Sequence, residues 1–181
     1  MEPQFQRVNG LSKSAQVRNF IALSLTIKGL IRSDPELVVT APMEIRPFQD
    51  PDEAELIRLW DRCGLLRPWN DPGKDIARKR RVQRDLFLVG TIDGAIVASV
   101  MAGYDGHRGW INYLAVDPER RRQGLARTLM SEAERRLRER GCAKINLQIR
   151  QDNPDAISFF ERIGFTEDAA VSFGKRLERD D

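Results

Sequence analysis

Residues 114–126 read Leu114-Ala115-Val116-Asp117-Pro118-Glu119-Arg120-Arg121-Arg122-Gln123-Gly124-Leu125-Ala126, an apolar run that passes through a basic turn into a helix-like stretch. The first turn of a helix leaves backbone N–H groups without partners, and the aligned peptide dipoles make that end attractive to anions. Gly124 lets a phosphate come close to the backbone, and the small Ala126 keeps the helix start uncrowded. Arg121 and Arg122 add charge-assisted donors. The chemistry of this spacing is phosphate or pyrophosphate binding; the plainer reading is a basic helix start whose arginines are merely solvated. Neither G-x-x-x-x-G-K-S/T nor G-x-G-x-x-G occurs, so the turn is neither a nucleotide P-loop nor a dinucleotide fingerprint.

Such a turn needs a strand to deliver it and a helix to receive it, and the flanking sequence contains both. Leu125, Leu129, Ala133 and Leu137 recur every four residues, which marks one helix face, and Gly141 stops the run. Glu132 with Arg136 and Glu134 with Arg138 set acids before bases on its wet side; Arg135, Arg138 and Arg140 read as solvated. Residues 110–116 form the strand leading in, after the Gly-rich stretch 103–109. Upstream, Asp50-Pro51 with Glu53 predicts a capped helix start, with Leu56, Leu59, Trp60 and Cys63 on one apolar face and Gly64 as its stop. Asp71-Pro72 repeats the start signal for a second helix carrying Arg78, Lys79, Arg80, Arg81 and Arg84. Strands over 86–89 and 95–100 flank the hairpin signal Asp93-Gly94. A strand over 43–48 opens the set. A strand over 144–149, a helix over 153–163 ended by Gly164, and two short strands, near Phe165 and over 171–177, close it. The order predicts an α/β protein with a mixed β-sheet flanked by helices.

The totals agree with one soluble domain. A chain of 181 residues with 41% hydrophobic and 31% charged residues and a mean hydropathy of −0.47 is not that of a wholly disordered protein. A net charge of +3 is too small to argue for nucleic acid, and the arginine runs at 78–84 and 120–122 lack both a recognised motif and interleaved aromatics. Cys63 and Cys142 match no metal-ligand spacing and no disulfide scaffold, so no metal and a reducing, cytoplasmic setting are expected. No apolar run approaches the length of a membrane span.

R-x-x-G-x-A after a strand ending in L-A-V-D-P resembles the coenzyme A pyrophosphate loop of the GNAT acetyltransferases. Residues 153–165, Asn153-Pro154-Asp155-Ala156-Ile157-Ser158-Phe159-Phe160-Glu161-Arg162-Ile163-Gly164-Phe165, are similar to that family's later N-x-x-A-x-x-x-Y-E-x-x-G-F segment. The resemblance covers residues 43–177, and the stretches 66–72 and 103–109 look most like the YpeA group of bacterial acetyltransferases. It implies a sheet splayed between the fourth strand, ending at Val116, and the fifth, with the pantetheine arm in the cleft. Backbone groups of Leu114, Ala115 and Val116 would line that arm, and residues Arg121, Arg122, Gln123, Gly124, Leu125 and Ala126 would hold the pyrophosphate. Asn153 and Phe160 would meet the coenzyme from the far side.

The implied activity is transfer of the acetyl group of acetyl-CoA to a primary amine, by direct attack in a ternary complex, with the Val116 N–H near the thioester carbonyl. Two positions depart from the pattern. Many relatives have a glutamate where Gln148 stands, and Gln148 cannot accept the amine's proton. Many have a tyrosine where Phe160 stands, and Phe160 has no proton for the thiolate. A base could instead come from His107, the sole histidine, or from Asp105, although Asp105 in Tyr-Asp-Gly is turn chemistry and His107 reads equally well as a loop residue. Trp69, Asn70, Tyr113 and Gln148 are the candidate acceptor contacts. The departures keep a second reading open, a CoA- or acyl-CoA-binding regulatory domain with little turnover. A homodimer is admitted as an assembly.

Residues 1–42 are a different kind of sequence. Between Phe5 and Arg32 lie five basic residues and no acidic one, and Lys28 interrupts the apolar stretch 20–27. The absence of a small-residue cleavage site argues against a secretory signal, while the Arg, Lys and Ser content looks somewhat like an organelle transit peptide. The reading adopted is an extension, helical or disordered or preceding the true start, followed by the acetyltransferase domain over 43–181.

Overall fold

The computed structural model describes residues 41–178, so residues 1–40 of the predicted extension lie outside the described residues. The chain runs through β1 (Glu44–Pro47), α1 (Glu53–Arg62), α2 (Pro72–Arg80), β2 (Phe87–Ile92), β3 (Ala95–Tyr104), β4 (Gly109–Val116), α3 (Leu125–Glu139), β5 (Ile145–Leu147) and α4 (Pro154–Arg162). The strands lie side by side in chain order, antiparallel from β1 to β4. β5 is parallel to β4, and α3 makes the crossover that a parallel pair requires.

Local chemistry explains most of the boundaries. Asp71 caps α2 by accepting from the Lys74 N–H at 3.0 Å, and Pro72 occupies the first position, where its missing N–H costs nothing. Asp93 and Gly94 both have positive φ (51° and 80°), as the tight turn between β2 and β3 demands. α1 departs from expectation at its start: a single 3-10 turn over Asp50–Asp52 precedes it, and Asp52, not Glu53, accepts the returning N–H, from Gln49 at 2.8 Å. Arg46 decides this by gripping both Asp52 oxygens at 2.6 and 2.8 Å, which fixes that carboxylate over the turn.

β2 and the middle of β3 are buried on both faces, so they read as continuous apolar runs. One face carries α1 and α2, with Leu56, Leu59, Trp60 and Ile76 packed on Phe87 and Val89. The other carries α3 and α4, with Leu129, Met130, Ala133 and Leu137 against Leu88, Val100 and Ile111. Trp60 is fully buried, and its indole N–H donates to Ser99 Oγ at 2.9 Å, so its polar edge costs little.

Two expectations fail. Residues 165–178 contain no strand: Val171, Phe173 and Leu177 are 80%, 92% and 87% exposed. A period-two apolar pattern shows only what could pair, and among the described residues no partner strand meets this segment. β5 is also shorter than the run 144–149, and α2 stops at Arg80, leaving Arg81 and Arg84 beyond it. The basic run there is largely tied down, with Arg80 and Arg84 both on Asp50 and Arg78 on Asp75 at 3.1 Å.

Candidate active site

β4 is held along its whole length by β3, with Ala98 opposite Val116 and Tyr104 opposite Gly109. On its other edge it pairs with β5 only from Gly109 to Ile111. Past Ile111 the two parallel strands part, and residues 112–116 turn one edge to the gap. Alternate backbone groups of a strand point to each edge, so this stretch can offer N–H and C=O groups to an extended ligand lying in the wedge. A bulge marks the parting: Ser99 faces Ala115 while Met101 faces Asn112, and Tyr113 takes a positive φ of 50°. The Tyr113 ring stacks on Trp60 with centroids 4.1 Å apart, and its carbonyl accepts from Ser99 Oγ at 3.1 Å.

The turn after Val116 is anchored and then curled. Asp117 takes an ion pair from Arg62 at 2.7 Å and accepts from the Glu119 N–H at 3.1 Å, while its own N–H donates to Val97 at 2.8 Å. Arg122 and Gly124 both lie in the left-handed region, at φ 62° and 82°, a curl that turns successive N–H groups inward. Among the described residues no side chain caps α3, and no acid lies in its first turn. Arg121, Arg122 and Gln123 are exposed, Leu125 and Ala126 half-buried, and a Cβ placed on Gly124 would meet no atom within 4 Å. The uncapped helix end, the two arginines and the open space above Gly124 fit a pyrophosphate. Cys63 closes the inner side, its thiol donating to the Val116 carbonyl at 3.3 Å, and burial pushes that thiol up despite the nearby Arg121. It reads as a packed thiol.

Tyr113, Trp69 and Asn70 come together beside the gap. With Leu65, Arg67, Asn112 and Arg150 they line a groove of about 310 Å3. Sequence reasoning missed a neighbour that fixes one of its walls: Asp75, on α2, accepts from the Tyr113 hydroxyl at 2.6 Å and from Arg78 at 3.1 Å. Asn70 accepts from Arg176 at 3.2 Å. Arg67 and Arg150 were also missed. They lie 83 positions apart in the chain, and nothing local marks either as a site residue.

Other candidates sit elsewhere. Asp105 and His107 lie in the β3–β4 turn, beside Gly109, where β5 is still paired. At the rise of a strand this is roughly 20 Å from Val116. Asp105 accepts from the backbone N–H groups of Arg108 at 2.6 Å and His107 at 2.8 Å, and from the Trp110 indole at 3.0 Å. Those donors hold its carboxyl down at about 2, a turn-forming anion and a poor base. Phe160 is 8% exposed, wedged edge-on between Phe159 and Phe165 with centroids 5.1 and 5.3 Å away. Asn153 caps α4 through its side-chain oxygen on the Ala156 N–H at 3.2 Å. Gln148, just past β5, donates to Ser172 Oγ at 2.5 Å.

Fold and site together define an α/β protein whose sheet opens beside an uncapped, arginine-rich helix start, an arrangement that suits a coenzyme-dependent acyltransferase. The family model described as "Acetyltransferase (GNAT) family" matches residues 46–165. "Acetyltransferase SG1711" of Sodalis glossinidius is 50% identical over 139 residues, 76% of this chain and 98% of the relative. The crystal structure of the ribosomal-protein-S18-alanine N-acetyltransferase of Escherichia coli is 26% identical, with a TM-score of 0.60 over 71% of this chain and 80% of that one. The fold is also that of the aminoglycoside acetyltransferase AAC(6')-Iy, solved with a bisubstrate analogue of coenzyme A, at 17% identity and a TM-score of 0.61 over 76% of this chain and all of that one. This chain belongs to the GNAT acetyltransferase family and is an acetyl-CoA-dependent acyltransferase. Among the described residues there is no metal-binding group, and no helix is long and apolar enough to cross a membrane.

Proposed function

We propose that the chain moves the acetyl group of acetyl-CoA onto the nitrogen of a primary amine by direct attack, with both substrates bound at once. One observation carries this reading: β4 loses its β5 partner past Ile111, and the freed stretch runs on through residue 116 into the turn before an uncapped, arginine-rich helix start. The coenzyme supplies a thioester whose carbonyl is open to a neutral amine. In this reading Arg121, Arg122 and the N–H groups of residues 122–126 hold the pyrophosphate, and the 112–116 edge orients the pantetheine arm. The Val116 N–H faces the carbonyl oxygen as charge grows on it, which is the largest help a backbone group can give. The nitrogen bonds the acetyl carbon, the C–S bond breaks, and the proton shed by the amine reaches the thiolate through water.

No side-chain acid or base is assigned. Gln148 has no basic oxygen to offer, and Phe160 is packed away in the core. A coenzyme-binding domain with little turnover is the alternative that these two residues favour. Calorimetry with acetyl-CoA, combined with thiol release over an amine panel, separates the two: binding with steady thiol release supports transfer, binding without it supports the alternative, and no binding removes both.

A further inference from the structure

Two arginines reach one groove from the two sides of the split sheet. Arg67 comes from the turn between α1 and α2, and Arg150 from the turn after β5; Trp69, Asn112 and Tyr113 line the same groove. Among the described residues that line this space there is no carboxylate. Arg67 donates through Nη1 to the Gly64 and Leu66 carbonyls at 2.7 and 2.9 Å, neutral acceptors that leave its charge standing, and it makes no ion pair among the described residues. Arg150 meets both oxygens of Asp152, at 3.1 and 3.2 Å, and the charge of Arg67 also acts on that carboxylate, but the Arg150 and Asp152 side chains are 58% and 69% exposed, so water screens the pair and either partner is easily released. A second carboxylate, Asp75, borders the adjoining hollow and is already engaged by Tyr113, Arg78 and Asn70.

A polycationic amine would enter this groove against two like charges, with only the exposed and already paired Asp152 to compensate them. An amine that also carries one negative group gains a charge-assisted contact, and a bidentate one where an arginine fork meets a carboxylate. The field acts on the amine too. A monoanion that takes the place of the exposed Asp152 on Arg150 cancels one of the two arginine charges, and the one that remains disfavours an ammonium beside it, so the amine sheds its proton more readily. A phosphate dianion would cancel both and lose this second effect. The volume, about 310 Å3, lies at the low end for ligand pockets and suits a small acceptor.

Building on the acetyl-transfer reading, we infer that the acceptor is a small primary amine bearing a carboxylate, held by Arg67 and Arg150, whose positive field replaces the missing general base. The test uses the full chain with acetyl-CoA and four probes: β-alanine, β-alaninamide, O-phosphoethanolamine and spermidine. The amide has the less basic amine, so intrinsic reactivity favours it and only the groove can reverse the order. The expected result is a kcat/KM for β-alanine about tenfold or more above the amide and spermidine, and above the phosphate ester. Arg150→Gln, at an exposed position, should erase that preference and move the rising limb of the pH–rate profile to higher pH; Arg67→Gln is the second variant. Equal rates, a preference for the amide, spermidine or the phosphate ester, an unmoved pH limb, or no turnover with any probe overturns the inference. Acetyl-CoA titration of the same samples then shows whether the transfer reading falls with it: bound coenzyme and turnover of another amine leave that reading intact.

Discussion

Replacing Gly124 separates phosphate binding from folding, because the protein leaves empty space above it. A Cβ there would touch no atom within 4 Å, so steric clash adds nothing to the cost in the free protein. The remaining cost is conformational: at φ 82° a side chain is held in the left-handed region, about 1–2 kcal/mol. At this domain size that lowers the melting temperature by about 4 °C per kcal/mol. In the complex the empty space is the ligand's. The side chain introduced by Gly124→Val would push the pyrophosphate off the N–H groups that follow the turn. Losing two charge-assisted hydrogen bonds at about 1.5 kcal/mol each removes about 3 kcal/mol, roughly a hundredfold in Kd. Gly124→Asn is the control for strain, since Asn tolerates the left-handed region; it should melt close to wild type and still bind weakly. Calorimetric titration with acetyl-CoA, alongside thermal melts, gives both quantities. A Gly124→Val protein with the wild-type Kd would refute the assignment of this turn to phosphate, whatever its melting temperature.

Three further outcomes are expected. Phe160→Tyr should lose roughly 1–3 kcal/mol in a denaturant melt and gain no turnover, since its hydroxyl would be buried among aromatic rings; a faster enzyme would move Phe160 to the cleft. Lys79, which donates to the Ala102 carbonyl at 2.5 Å, is brought down to about 8, first by burial and then by the charge of Arg140. Between about 8 and its unfolded value of 10.5 the unfolded chain binds more protons, so stability relative to Lys79→Met should rise with pH across that window, and a flat difference would contradict the burial. A protein beginning at Met43 should keep its melting temperature and its coenzyme affinity, because Met43 itself packs beside Gly90 on β2; a large loss in either would give residues 1–42 a structural role.

What the sequence by itself determined is local. The four-residue repeat from Leu125 to Leu137 specifies α3 because a helix brings those positions onto one face. Asp71-Pro72, Asp93-Gly94 and the glycines 64, 141 and 164 mark ends because their φ values or caps answer to the chain within a turn. The arginine–glycine turn before α3 was legible for the same reason: backbone donors at a helix start depend on neighbours three or four residues away. Tertiary structure decided the rest. Where β4 and β5 part depends on two strands separated by the whole of α3, and that β4 bulges at Tyr113 depends on its register against β3. The fate of 165–178 depended on whether a partner strand was present. The meeting of Asp75 with Tyr113, and of Arg67 with Arg150, joins segments 38 and 83 positions apart. Asp105 and His107 carried reactive groups in sequence, yet the hairpin holds them at the closed end of β4. Side-chain chemistry is written residue by residue, but a site is a set of distances, and only packing of the sheet between its helices sets those.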